Sequence, residues 1–296
     1  MTQKKTLLFA LFFFCAFPLQ AQLLWEITGK GLTKPSYLYG TMHVSDARAY
    51  THIEKISPYL NTCEVLAGEM DLDIDPNASA AAMMPKMFIK GDTTLKALLD
   101  SAQYQEVKTA LQAKMPMMVA MMDKIQPIFL VVFLSDAANA KKTASADSSS
   151  RPPLDLYLQR KAKEEGKEVI GLETLGEQLD AFTSISLQEQ AKLLVESVEG
   201  LKNAQENGGK DPTIEKMLDW YAEENLDELQ KIATQSSSLQ LNENLLLKRN
   251  YLMAERIAPK IAEKTHFIAI GAAHLGGEEG VIALLKKEGF EVKPIQ

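Results

Sequence analysis

The chain has 296 residues, with 32 Lys+Arg against 39 Asp+Glu for a formal net charge of −7, and hydrophobic residues make up 46% of it. This is a globular composition with ample material for a core, which excludes disordered and fibrous classes. The acidic balance argues against a nucleic-acid backbone binder, and two cysteines exclude a disulfide framework.

Lys4 and Lys5 precede an apolar stretch from Thr6 to Phe17, and Pro18 and Ala21 follow it. The pattern predicts a secretory signal peptide over residues 1–21, cleaved after Ala21, and hence a periplasmic or extracellular protein. The stretch is shorter than the roughly 20 residues of a membrane span, and Phe12-Phe13-Phe14 lacks the small residues that lipidation of Cys15 would favour. Cleavage leaves Cys63 as the single thiol, in an apolar run that predicts a buried, inert side chain.

In the remainder, 22–296, Leu23 to Thr28 and Ser36 to Gly40 predict a hairpin across Gly29-Lys30-Gly31. A short helix over Ile53 to Leu60 and a strand over Cys63 to Met70 follow. Residues 78–134 predict a helical insertion punctuated by Pro85, Pro116 and Pro127. Eight of the thirteen methionines fall between Met83 and Met122. Their thioethers (Met115, Met117, Met118, Met121, Met122) suit a copper site, a peptide groove or plain helix packing, and packing is preferred. Residues 137–153 are small and polar and predict a flexible loop.

An amphipathic helix over Leu154 to Glu165, stopped by Gly166, leads to a strand over Glu168 to Leu172. Helices are expected over Leu187 to Gly200, Thr213 to Ile232 and Asn242 to Ala262, the last kinked at Pro259, with a polar loop at Asn203 to Asp211. The chain closes as strand, helix and strand: His266 to Gly271, Glu278 to Glu288 and Phe290 to Val292. The fold class is therefore α/β: a mixed central sheet covered by helices, with the helical insertion in the first half.

Of four histidines, two share one context. Tyr37-Leu38-Tyr39-Gly40-Thr41-Met42-His43 and Phe267-Ile268-Ala269-Ile270-Gly271-Ala272-Ala273-His274 each run strand, Gly, two residues, His. A glycine lets the backbone turn sharply where a buried strand ends, and ligands of α/β sheets bind at such ends. Glu69 and Glu173 follow two further strands. Two imidazoles and a carboxylate with open positions suit a divalent ion such as Mn, Co, Fe or Zn, which would acidify a water. Arg249-Asn250 could stabilise an oxyanion or pair with a carboxylate. His52 is expected to be exposed and His266 peripheral.

Tyr39-Gly40-Thr41-Met42-His43 together with Gly271-Ala272-Ala273-His274 resembles the TraB/GumN family, which includes the Tiki Wnt-cleaving proteases. Leu154-Asp155-Leu156-Tyr157-Leu158, Ala162, Gly166-Lys167, Gly171-Leu172-Glu173, Glu177-Gln178-Leu179, then Arg249-Asn250 and Met253 follow the family's later segments in order. The resemblance implies an α/β fold shared with erythromycin-esterase-like and ChaN-like proteins, and a divalent metal, Mn or Co foremost. His43, Glu69 and His274 are then the expected metal ligands, and Glu69, Glu173, Arg249 and Asn250 the expected catalytic set. The expected activity is metal-dependent hydrolysis of a peptide or protein. The rivals are a peptide- or pheromone-sequestering binder and, more distantly, haem or iron handling.

Overall fold

The computed structural model describes residues 22–135, 151–235 and 239–296. The predicted signal peptide, Cys15 and most of the predicted loop at 137–153 lie outside the described residues.

Strands β1 (Leu24–Gly29) and β2 (Ser36–Thr41) form the predicted hairpin, with Leu24 opposite Tyr39 and Ile27 opposite Ser36. Its turn places Gly29, Lys30 and Gly31 at φ 88°, 46° and 79°, a left-handed run that two glycines make affordable. The other strands are β3 (Val65–Gly68), β4 (Glu168–Gly171), β5 (His266–Gly271) and β6 (Phe290–Pro294). The sheet order is β4-β3-β5-β2-β1-β6. β4, β3, β5 and β2 run parallel, whereas β1 is antiparallel to both its neighbours. The sheet is therefore mixed. Every residue of β2, β3 and β5 is buried, as strands covered on both faces require.

The covering helices are α1 (Ile53–Thr62), α2 (Pro76–Met87), α3 (Ser101–Lys114), α4 (Leu154–Glu164), α5 (Leu175–Thr183), α6 (Leu187–Glu206), α7 (Pro212–Ala222), α8 (Leu226–Gln235), α9 (Lys248–Glu263) and α10 (Val281–Lys287). Two hydrophobic clusters hold them. The larger surrounds the sheet, with Tyr39, Leu66, Phe267 and Leu285 at its centre. The second gathers Met87, Leu95, Val107, Leu111, Ile125, Phe129 and Leu130 from the insertion with Leu179, Leu194 and Val198 of α5 and α6. The insertion thus completes its core with later helices.

Several expected boundaries move. α6 continues through the start of the expected polar loop to Glu206. The expected helix from Thr213 to Ile232 breaks into α7 and α8 at Glu224, whose φ is 55°. The last helix starts late, at Val281, after an extended Gly280 (φ −75°, ψ 157°) where a Cβ would come within 2.0 Å of the Gly276 carbonyl oxygen. A π-helical turn, Glu243–Leu247, leads into α9, where a single helix was expected. The methionine segment is two short 3-10 turns, Pro116–Met118 and Met122–Lys124. Met117 is 89% exposed while Met122 is 1% exposed, so these thioethers do not share one face.

His52 is a correction: it is buried, and its Nε2 lies 3.1 Å from the Tyr221 carbonyl oxygen. His266 is also buried, with Nδ1 2.9 Å from the Lys264 carbonyl oxygen, at the end of β5 remote from its Gly. Cys63 is buried as expected, and that burial pushes its thiol up to about 12.

Candidate active site

Because β2, β3, β4 and β5 are parallel and in register, their C-terminal ends share one edge of the sheet. Thr41 pairs with Gly271, and Gly68 lies beside both Ala269 and Gly171. Each strand releases one candidate site residue just past its end: His43, Glu69, Glu173 and His274. This edge is where the topology of an open α/β sheet puts a ligand.

The two imidazoles converge on one carboxylate oxygen. His43 Nε2 and His274 Nε2 each stand 3.6 Å from Glu69 Oε1. The same oxygen accepts the Gly271 backbone N–H at 2.7 Å. Gly271 sits at the middle of the group. A Cβ there would come within 3.0 Å of Glu69 Oε1, 3.4 Å of His43 Nε2 and 3.5 Å of His274 Cδ2. The backbone turn at this strand end thus leaves a small hollow ringed by two ring nitrogens and a carboxylate.

Both rings are fixed from behind. His43 Nδ1 lies 2.7 Å from Asp155 Oδ2, and the other oxygen of Asp155 accepts the Thr41 hydroxyl. His274 Nδ1 lies 2.6 Å from Asn250 Oδ1, and the Asn250 amide donates to the Glu279 carbonyl oxygen at 2.9 Å. Since the amide nitrogen is engaged there, Asn250 offers its oxygen to the ring and His274 donates from Nδ1. That tautomer leaves a lone pair on Nε2, facing Glu69.

Arg249 links the two glutamates. Its Nη2 donates to Glu69 Oε2 at 2.6 Å and to Glu173 Oε2 at 2.7 Å, and its Nε reaches both oxygens of Glu173 at 3.0 Å. Gln178 Nε2 also donates to Glu173 at 3.3 Å. These charge-assisted bonds offset the cost of burying the ions.

Burial opposes the charge on Glu69, but the imidazoles and the Arg249 guanidinium outweigh it and hold the carboxyl well below the usual range. Burial lowers His274 to about 4, so it is neutral at neutral pH. For His43, desolvation works against the proton, but Asp155 and then Glu69 overcome it and raise the group well above its ordinary value. Its side chain is 59% exposed, against 6% for His274. One imidazole is thus sealed and neutral, and the other is open and favours its proton.

His43, Glu69, Glu173, His274, Arg249 and Asn250 are all brought together here. Arg249 is a clamp on two carboxylates, and Asn250 reaches the site through His274. Glu69, alternatively read as a solvated turn residue, has a side chain only 10% exposed. Among the described residues, no group of three or more His, Cys, Asp or Glu side chains is placed so as to hold a metal ion.

Sequence reasoning quoted Thr41, Asp155 and Gln178 within the family's segments but gave them no role, and it missed Gln159. The signal for Asp155 was one acidic residue in the apolar helix start Leu154-Asp155-Leu156. Beside His43 and Glu69 opens a cavity of about 420 Å³ lined by Leu66, Met70, Leu72, Asp155, Leu156 and Gln159, among others.

A family model described as the TraB/PrgY/gumN family matches residues 23–294. The chain belongs to the TraB/PrgY/gumN family. Among its curated relatives, metalloprotease TIKI2 of Danio rerio is 24% identical over 91% of this chain and 60% of its own length. Metalloprotease TIKI1 of the same organism is 24% identical over 88% and 60%. A metalloprotease TIKI homolog of Nematostella vectensis is 23% identical over 89% and 65%. The chain thus spans about 60–65% of the length of these TraB/PrgY/gumN relatives. No solved structure matches it. Among the described residues, no helix is long and apolar enough to cross a membrane.

Proposed function

We propose that this TraB/PrgY/gumN member is an exported, metal-dependent hydrolase of peptide bonds, with residues 1–21 serving as a secretory signal. The observation that carries the reading is the convergence of His43 Nε2 and His274 Nε2 on Glu69 Oε1, each at 3.6 Å, beside an open cavity. The metalloprotease names of the relatives support the same class of activity.

The donors fit a divalent ion in kind: two ring nitrogens held from behind, one carboxylate oxygen, and a hollow above Gly271 that a Cβ would fill. His43, His274 and Glu69 would hold the ion, Mn or Co first, with Zn or Fe suited to the same donors. When bound, such an ion supplies a Lewis acid that polarises a carbonyl and acidifies a water. The chain's own residues do the rest. Asp155 keeps a proton at His43 Nδ1 and aims Nε2 inward. Asn250 does the same for His274. Arg249 fixes oxygens of both Glu69 and Glu173.

The test is elemental analysis of purified protein, with peptide hydrolysis measured after chelation and after adding back Mn, Co or Zn. His43→Ala and His274→Ala are each expected to lose bound metal and at least about 100-fold in kcat/KM, with the circular dichroism spectrum retained. Full hydrolysis by both variants, free of metal, would overturn the reading.

A second reading, peptide capture without turnover, is favoured by the hold of Arg249 on Glu69 Oε2 and by the lack of a group so placed among the described residues. Mass spectrometry of an incubated peptide pool separates the two: cleavage products support the hydrolase, and intact bound peptide supports capture.

A further inference from the structure

The cavity beside His43 differs in character from the charged group it adjoins. Its floor is Leu66 and Ala269 of the sheet, and its walls are Met70, Leu72 and Leu156. Its polar atoms are largely spoken for. Asp155 accepts from Thr41 and lies against His43, and Gln178 donates to Glu173. Gln159 has both amide atoms engaged: Nε2 donates to the Met70 carbonyl oxygen at 2.8 Å, and Oε1 accepts the Leu72 N–H at 2.9 Å.

Gln159 is only 3% exposed, and it shapes this wall. Its two hydrogen bonds staple the chain on either side of Asp71, so Met70 and Leu72 are held before any ligand arrives. The amide fits there because Gly68 has no side chain, since a Cβ would lie 2.6 Å from Gln159 Nε2. Asp155, Leu156 and Gln159 all come from the first two turns of α4. One helix thus lies against His43 through Asp155, lines the cavity with Leu156 and holds Met70 and Leu72 through Gln159. A volume of about 420 Å³ lies toward the small end of ligand pockets, which suits one side chain and its adjoining backbone.

We propose that this cavity is a specificity pocket for one unbranched or γ-branched apolar side chain, leucine or methionine, of the residue next to the reacting bond, and that Gln159 is its positioning residue. The proposal rests on the hydrolase reading for the reaction but not for the pocket. An acidic side chain would face Glu69 and Asp155, and among the described residues no lysine or arginine lines the cavity to receive it. Alanine would leave the apolar walls wet.

The experiment uses labelled peptides of one frame with a single varied residue: Ala, Leu, Met, Asp or Lys. Cleavage is mapped by mass spectrometry, and binding is measured by competition in fluorescence anisotropy. Leu and Met are expected to exceed Ala by at least about tenfold in both readouts, with Asp weakest. Leu72→Lys, at a 39% exposed position, is expected to cut the Leu preference and admit Asp without unfolding the chain. Gln159→Ala is expected to raise KM for the Leu peptide far more than it lowers kcat. Gln159→Glu, which retains an acceptor for the Leu72 N–H, should recover part of the loss. Cleavage with no preference for Leu or Met would overturn the pocket and leave the hydrolase standing. Selective binding without cleavage would keep the pocket and overturn the hydrolase. No preference in either readout would overturn the pocket.

Discussion

Gly271 has φ −53° and ψ 135°, a backbone that any residue can adopt, so its lack of a side chain serves the space above it. Gly271→Ala is expected to melt within about 1 kcal/mol of the parent, yet to lose most metal uptake and hydrolysis, read by elemental analysis and kcat/KM. His274 carries a pH signature. Its folded value of about 4 lies below the ordinary 6.5, so the unfolded chain takes up the proton first. Stability is therefore expected to fall as pH drops from about 6.5 to about 4, and His274→Gln should flatten that slope in denaturant titrations. His43, raised in the folded state, contributes in the opposite sense, adding stability at low pH that is lost as pH climbs through its folded value. Cys63, with its thiol near 12, is expected to resist iodoacetamide at pH 8 until the chain unfolds, as counted by mass spectrometry. The residue pattern made His43 and His274 legible because both follow a strand and a glycine. Asp155 was hidden because a helix places it against His43, a partner 112 positions earlier that no local pattern records.

At the scale of elements, the start of α5 ties the site to α9. Thr174 and Glu177 form a capping box, and Arg256 of α9 donates to both oxygens of Glu177. Arg256 foremost, then the Thr174 N–H, lowers the Glu177 carboxyl to about 2. The side chain is 37% exposed, so solvent screens much of this. Glu177→Ala is expected to cost about 1–2 kcal/mol at pH 7 by chemical denaturation. In the parent this contribution is present above about pH 4.5 and fades as pH falls toward 2, so the two proteins should converge in acid. Strands and the hairpin were readable because alternating or buried apolar runs end at glycines. Helix limits were less so. Nothing in Asn242 to Leu247 announces a π-helical turn, which depends on how α9 docks. Likewise the break at Glu224 needs a left-handed non-glycine residue that composition does not mark.

Across the whole molecule, the insertion core is shared with Leu179 of α5 and Leu194 and Val198 of α6, so damage to it should be felt in those later helices. Leu111→Ala is expected to cost about 2–5 kcal/mol and to speed hydrogen exchange in α3 and α6 ahead of β2 and β5. Sequence patterning exposed the helix-covered mixed sheet and the shared strand edge, but not which helices seal the insertion, because that choice is made by contacts between distant segments. The antiparallel pairing of β1 with β6 has its own consequence. Trp25 lies opposite Pro294, and the Ile295 N–H donates to the Leu24 carbonyl oxygen at 2.9 Å. Residues 22 and 296 are therefore neighbours in space. A short glycine bridge could join them and new ends be opened at Gly208–Gly209, where nothing crowds the backbone. Such a circular permutant would form that edge of the sheet by a local turn rather than by closing the entire chain, and should refold faster than the parent.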